Sequence, residues 1–299
     1  MTRRSNWTAL AFLSPNILGF LIFTLLPVVA ALGLSLFRWD IFHPPEFIGL
    51  RNFKTLLGWT VLDGEFYFTD PRFWKFLGNT LFFMLAIPVS MAGSLLLACM
   101  LNQKLPGRTF YRTVFFLPSI CMGVGVLLLW RFLYEPDGMV NAFLGFFRIE
   151  GPDWLKNYYW AKPAIMNMGL WATVGGTNMV LYLAGLQNIP PELYEAAEID
   201  GASGWHRFRH ITFPLLAPTT FFIFITSVIA GFQGEFDSAY VMTQGGPDGA
   251  TTTLSYYIYL HAFRWFNMGY AAAIAVVMFA LILVTTLINW RLNRGSAHG

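Results

Sequence analysis

Six apolar stretches, each about 20 residues or longer, at positions 10–37, 76–100, 114–133, 164–186, 217–236 and 270–290, leave this chain few folds to choose from. Hydrocarbon offers no partner for a backbone N–H or C=O, so a stretch of that length and apolarity crosses a membrane as a helix that pairs its own polar groups. Composition points the same way. Of 299 residues 56% are hydrophobic and only 12% charged, with a mean hydropathy of +0.53, which excludes a water-soluble globular protein. Thirty phenylalanines and an aromatic content of 18% suit lipid-facing helices and interfacial belts. The expected fold class is an all-α integral membrane protein of about six transmembrane helices, forming a single domain over 1–299. The first stretch follows Arg3 and Arg4 but exceeds the apolar core of about 7–15 residues found in secretion signals, so it reads as a retained helix.

The net charge of +3 is small, and its basic residues sit near the ends of the spans rather than in one patch, so no nucleic-acid partner is expected. Cys99 and Cys121 have neither ligand spacing nor a loop to cross-link, and no metal is expected. There is no Gly-Lys pair and hence no GxxxxGK[ST] phosphate loop, and no HExxH or GxSxG signature; no catalytic residue is expected, and any ATP has to be handled by another chain. Six crossings place both termini on one side, together with Lys104, Arg108, Arg112, Arg207, Arg209, Arg291 and Arg294. The other side holds a similar number of Lys and Arg, spread over connections roughly twice as long, so the density of positive charge marks the first side as cytoplasmic. The outer connections 38–75 and 131–162, rich in Trp, Tyr, Phe, Gly and Pro, are expected to fold over the outer mouth.

Between the fourth and fifth stretches lies a polar island at 190–218, PPELYEAAEIDGASGWHRFRHITFPLLAP. Two prolines suit the first helical positions, where a missing N–H costs nothing, and Glu192, Glu195 and Glu198 follow in the first turns. Gly201 allows a sharp reversal, after which GWHRFRHITFP supplies a second short helix ended by Pro214. Composition alone fits a capped loop with solvated charges. The spacing of Glu195, Ala196, Ala197, Asp200, Gly201, Ala202, Phe208, Ile211 and Pro214, however, resembles the EAA loop of membrane subunits of ATP-binding-cassette (ABC) importers. That resemblance implies the type I importer permease fold, with 192–200 as a coupling helix seated in a groove of a nucleotide-hydrolysing subunit. Glu195, Ala196, Ala197, Asp200, Gly201, Ile211 and Pro214 are the coupling residues it implies. It also implies partners: an ATPase dimer that binds ATP and Mg, a second homologous permease and an extracytoplasmic solute-binding protein. No cofactor belongs to this chain itself.

Beyond the fifth stretch, Gly245, Gly246 and Pro247 form a turn, and Leu254, Tyr257, Ile258, His261 and Trp265 then share one helical face. Read from its residues alone, this is an interfacial aromatic helix anchoring the last span. Together with FLSPNILGFLIFTLLPV near the start and WRFLYEPDGMVNAFL at 130–144, it resembles permeases of carbohydrate importers of the maltose large-permease and glycerol-phosphate type. The resemblance implies a sugar bound about halfway across by side chains of the fourth and fifth spans. Counted from the two loop landmarks, the family's polar positions fall near 171–178 and near Ser227, Gly231 and Gly234; carboxylates and amides suit vicinal hydroxyls and an indole face suits a pyranose, so Trp171, Asn178, Ser227, Gln233, Glu235 and Asp237 are the candidates. The plainer alternative is that Glu235 and Asp237 mark the water-exposed end of the fifth helix. Two rival functions are weighed: an ion-gradient sugar carrier, which calls for inverted repeats and intramembrane ion ligands, and a membrane enzyme such as a glycosyl-lipid transferase.

Overall fold

The computed structural model describes residues 3–294 except 63, 64, 104, 105 and 122, so Lys104 lies outside the described residues. The chain forms two compact units that interleave in sequence, Met1–Trp74 with Tyr257–Leu281, and Lys75–Tyr256 with Ile282–Gly299.

In the first unit the helix Arg3–Phe20 widens into a π turn at Leu21–Leu25 and continues as Leu26–Leu34. Pro27 lies just past the wide turn, which absorbs its missing amide and the clash of its ring with the preceding turn. None of the apolar window within Ala11–Leu34 is buried against protein, and Phe12, Phe20, Phe23 and Leu26 stand exposed, as a lipid-facing surface demands. Two small hairpins follow: Phe37–Arg38 pairs with Glu46–Phe47, and Trp59–Leu62 with Glu65–Phe68. Between them the helix Arg51–Leu57 is tied down by Asn52, whose amide donates to the carbonyls of Ser35 (2.8 Å) and Phe37 (3.0 Å). The outer connection 38–75 thus has secondary structure of its own.

Asp70 organises the rest of this unit. Its Oδ1 accepts from the Phe73 amide at 3.1 Å, capping the helix that starts at Pro71. Its Oδ2 accepts from the hydroxyls of Tyr257 (2.9 Å) and Tyr270 (2.6 Å). Beside this cluster the His261 ring sits 4.6 Å from each of the rings of Tyr257, Trp265 and Tyr270, and neither of its nitrogens has a hydrogen-bond partner. Burial pushes the His261 pKa down to about 4, with Asp70 pulling it upward and Arg72 downward. Unfolding returns it to the ordinary value near 6.5. The unfolded chain therefore binds a proton that the folded chain refuses between about pH 6.5 and pH 4, and stability falls as pH drops through that window, by at most about 3 kcal/mol. His261→Phe is expected to remove this part of the acid sensitivity. Thermal unfolding of the full chain at pH 7.5 and 5 measures it; an equal loss in both proteins would rule the assignment out.

The second unit is built on helix pairs. Pro71–Met84 runs on after a break at Leu85 as Ala86–Asn102. Pro88 explains the break, because its ring would press on the carbonyl four residues earlier, at Met84. Ser90 Oγ donates to Thr173 Oγ1 at 2.9 Å, and Ser94 Oγ to the Val174 carbonyl at 2.7 Å, joining Ala86–Asn102 to the helix Ala161–Val174. Gly93 allows the contact, since a Cβ there would lie 2.9 Å from Val174 Cγ1. Met91, Ala98, Met179, Tyr182, Leu183, Leu216 and Ile223 fill the core below it.

The spans differ in part from the six expected. Among the described residues four helices are long and apolar enough to cross a membrane: Ala11–Leu34, Pro71–Asn102, Ala217–Thr243 and Met268–Arg291. The third expected stretch, 114–133, is a pair, Arg108–Cys121 and Val124–Leu133, bent by 99°, which makes a fifth if the pair counts as one span. The fourth, 164–186, is also a pair, Ala161–Val174 and Thr177–Gln187. Its break falls at Gly175 and Gly176, which bring the backbone against the Arg108–Cys121 helix. A Cβ on Gly175 would collide with the Phe115 carbonyl, and one on Gly176 would lie 3.0 Å from Ser119 Cβ.

Candidate functional site

Two regions of the second unit carry the expected functional residues: the polar loop and a cavity among the helices.

In the loop, Pro191–Ile199 is helical, with Pro190 before it and Glu192 in its first turn. It ends in a Schellman turn. Gly201 has φ +75°, its N–H donates to the Glu198 carbonyl (3.0 Å), and the Ala202 N–H reaches back to Ala197 (2.8 Å). Ser203 then caps the helix Gly204–Arg207 by accepting from the His206 amide at 3.3 Å. A π turn at Phe208–Thr212, which contains Ile211, leads to Phe213–Leu215, with Pro214 in its first turn. The expected helix-turn-helix is therefore present, its second arm wider than a regular helix. Tyr194 and Thr212 share a hydrogen bond at 2.8 Å, locking one arm against the other. Glu195, Ala196, Asp200 and Gly201 are exposed and Ala197 is half-buried. Ile199 is 87% exposed. It stands beside the small side chains of Ala196 and Ala197 on an otherwise polar loop. Arg207 and Glu198 pair at 3.2 Å, but both reach solvent and the pair contributes little.

The cavity has a volume of about 260 Å³ and is lined by Phe83, Met84, Ala86, Ile87 and Ser90, by Met166, Gly169, Thr173 and Asn178, and by Ser227, Ala230, Gly231, Gly234 and Glu235. Its shape follows from an interrupted helix. Ala217–Gln233 stops at Gly234, which is extended, and Glu235 takes a left-handed conformation at φ +61° before the chain resumes as Phe236–Ser238 and the π turn Ala239–Thr243. The break lies inside the apolar segment Ala217–Thr243, whose helix resumes beyond Glu235. The carboxyl Oε2 is shielded from solvent and has no partner. Gly169 keeps space open beside it, for a Cβ there would lie 3.5 Å from Oε1. Glu235 thus combines a left-handed backbone with a buried carboxyl oxygen inside an apolar segment.

Of the six expected substrate residues the structure brings three to this cavity: Asn178, Ser227 and Glu235. Trp171 is outside its lining, edge-on to Trp130 at 5.6 Å and 45% exposed. Gln233 and Asp237 flank the helix break and are exposed outside the lining as well. Ser90, Thr173 and Gly169 complete the wall without having been anticipated. Their signal was present as small polar residues inside otherwise apolar stretches. Chemically the cavity offers three hydroxyls (Ser90, Thr173 and Ser227), one amide and one carboxyl on an apolar wall, a donor and acceptor set suited to a small hydroxylated solute.

Comparison with known proteins places these features in context. Residues 91–297 match the family model described as binding-protein-dependent transport system inner membrane component. The chain is 38% identical, over 99% of its length and 93% of the relative, to the probable ABC transporter permease protein YesP of Bacillus subtilis (strain 168). It is 36% identical to the lactose transport system permease protein LacF of Rhizobium radiobacter, over 93% of this chain and 91% of that one. Among solved structures it is similar to a chain of a bacterial ABC transporter involved in the import of the acidic polysaccharide alginate, with a TM-score of 0.82 and 26% identity across 97% of this chain and 96% of that one.

Proposed function

We propose that this chain, which belongs to the family of binding-protein-dependent transport system inner membrane components, forms half of the translocation pathway of an ATP-driven importer for a sugar or a related polyol or oligosaccharide. The observation that carries the proposal is the Glu235 break, which sets an unsatisfied carboxylate in a cavity together with Asn178 and Ser227. The names of the lactose and alginate relatives support the carbohydrate class. A second homologous permease supplies the other half of the pathway, and an extracytoplasmic solute-binding protein delivers the sugar. The Pro191–Ile199 helix docks on an ATPase dimer that binds ATP and Mg, with Ile199 and the alanines at the contact. Closure of that dimer moves the rigid loop, and the loop rocks the helices that line the cavity from outward to inward access. The loop and both termini are then cytoplasmic, in keeping with the positive charge of Arg207 and Arg209.

A tagged copy purified in mild detergent from its native membrane is expected to retain a second permease and an ATPase, identified by mass spectrometry. Vesicles holding the assembly should take up sugar only with internal ATP and external binding protein. Recovery of the chain alone, with uptake following an ion gradient, would overturn the proposal.

A further inference from the structure

We propose that the hairpin formed by Trp59–Leu62 and Glu65–Phe68 is a membrane-interface anchor whose aromatic face rests in the lipid headgroup boundary beside the span that starts at Pro71. The register decides which side chains share a face. Trp59 pairs with Phe68 and Val61 with Phe66, so these four point to one side, while Thr60 and Tyr67 point to the other. The apolar side is uncovered by protein: Trp59 is 67% exposed and Phe66 77%, and Val61 and Phe68 are exposed too. On the opposite side the Tyr67 hydroxyl donates to Glu65 at 2.8 Å.

Lipid is the occupant because the hairpin is bolted to a membrane span. The Phe68 ring stacks on that of Trp74, in the first turns of the span helix, with centroids 4.9 Å apart and planes tilted by 31°. The apolar face thus continues directly onto the side of the span. At the hairpin's base the Thr69 amide donates to the Gly58 carbonyl at 2.9 Å. Gly58 is pressed against the end of the preceding helix, where a Cβ would collide with the Lys54 carbonyl. Height follows from the chain. Only Thr69 and Asp70 separate Phe68 from Pro71, and the apolar run begins at Phe76, about 8 Å further along the helix. Headgroups occupy about 5–8 Å on each side of the hydrocarbon, so the foot of the hairpin stands near the level that Trp and other amphipathic rings favour. Exposed Arg51, Lys54 and Arg72 in the flanking segments add cations suited to lipid phosphates. An isolated two-stranded hairpin is marginal in water, and the interface supplies the surface against which this one is stable.

The test uses the full chain, with its accompanying subunits, carrying Cys99→Ser and Cys121→Ser and reconstituted in vesicles of phosphatidylethanolamine and phosphatidylglycerol. A nitroxide is attached at position 61, 66 or, on the opposite face, 60. Collision with oxygen, which concentrates in lipid, is compared with collision with a nickel chelate, which stays in water. The oxygen-to-nickel ratio is expected to be severalfold higher at 61 and 66 than at 60. Equal ratios would overturn the proposal, and so would protection of 61 and 66 from both reagents, which would mean that a protein covers the face. Trp59→Phe gives a check without a label: lipids brominated near the headgroup should quench less fluorescence in the variant than in the parent, and equal quenching counts against the anchor.

Discussion

Gly201→Val is expected to leave the permease in the membrane at its normal level and to abolish most ATP-driven uptake. Gly201 holds φ at +75°, where a side chain with a Cβ costs about 1–2 kcal/mol and a β-branched one more. Nothing lies within 4 Å of a Cβ built there, so the effect comes from backbone conformation and not from a clash. The residue closes the Schellman turn that reverses the chain between the helix Pro191–Ile199 and the helix that follows. A penalty of that size shifts the loop equilibrium roughly 5- to 30-fold, and a loop that no longer presents Ile199 in fixed geometry cannot pass on the motion of a docked ATPase. Because the substitution lies outside the spans, insertion is unaffected. Gly201→Asn serves as the control, since Asn enters the left-handed region at small cost; it should keep most uptake. Uptake by initial rates in vesicles, with ATP hydrolysis measured in parallel, decides the matter. Full coupling in the valine variant would mean that the turn is not the lever.

The loop was legible in the sequence for a physical reason: helix starts, reversals and stops in water are written in prolines, glycines and caps, and Pro190, Gly201 and Ser203 stand where the structure uses them. The spans were legible as apolar runs, but their breaks were not. Hydropathy sees Gly175 and Gly176 as ordinary members of an apolar stretch, whereas the structure needs them because the Phe115 carbonyl passes where a side chain would stand. The break at Leu85 is the exception, because Pro88 three residues later marks it with a ring that the preceding turn cannot accommodate. Of the six substrate candidates, three line the cavity and three do not. Glu235 announced itself as an acid in an apolar segment, and Asn178 and Ser227 followed from counting positions. Trp171 came from the same count, and Gln233 and Asp237 from side-chain chemistry; which side of a broken helix a residue faces depends on backbone angles that residue type does not encode. The left-handed turn at Glu235 is such a case, because it directs the carboxyl into the cavity while Gln233 and Asp237 on either side stay outside it.

That turn makes Glu235 the second position at which a large effect is expected. The acid sits at φ +61°, a conformation that costs a non-glycine residue of order 1 kcal/mol or more, and its Oε2 is sealed from water without a partner. A solute hydroxyl donating to that oxygen relieves the second of these costs. Glu235→Gln keeps the size of the side chain and the backbone strain but replaces one carboxyl oxygen with an NH2 group, which cannot accept a hydrogen bond. Leaving a buried partner unpaired costs about 1–3 kcal/mol, so uptake efficiency should fall roughly 5- to 100-fold. Because the loss is one of solute binding, it should appear mainly as a raised half-saturation concentration, with the amount of co-purifying ATPase unchanged. Ser227→Ala and Asn178→Ala, on the same cavity wall, should show smaller losses of the same kind, about 0.5–1.5 kcal/mol each for a neutral hydrogen bond. Asp237→Asn, two residues away and outside the cavity lining, should leave uptake close to normal. The pattern across the four variants separates binding at this cavity from a general need for acidic residues near the helix break. If Asp237→Asn impairs uptake as severely as Glu235→Gln, the solute does not sit where the cavity places it.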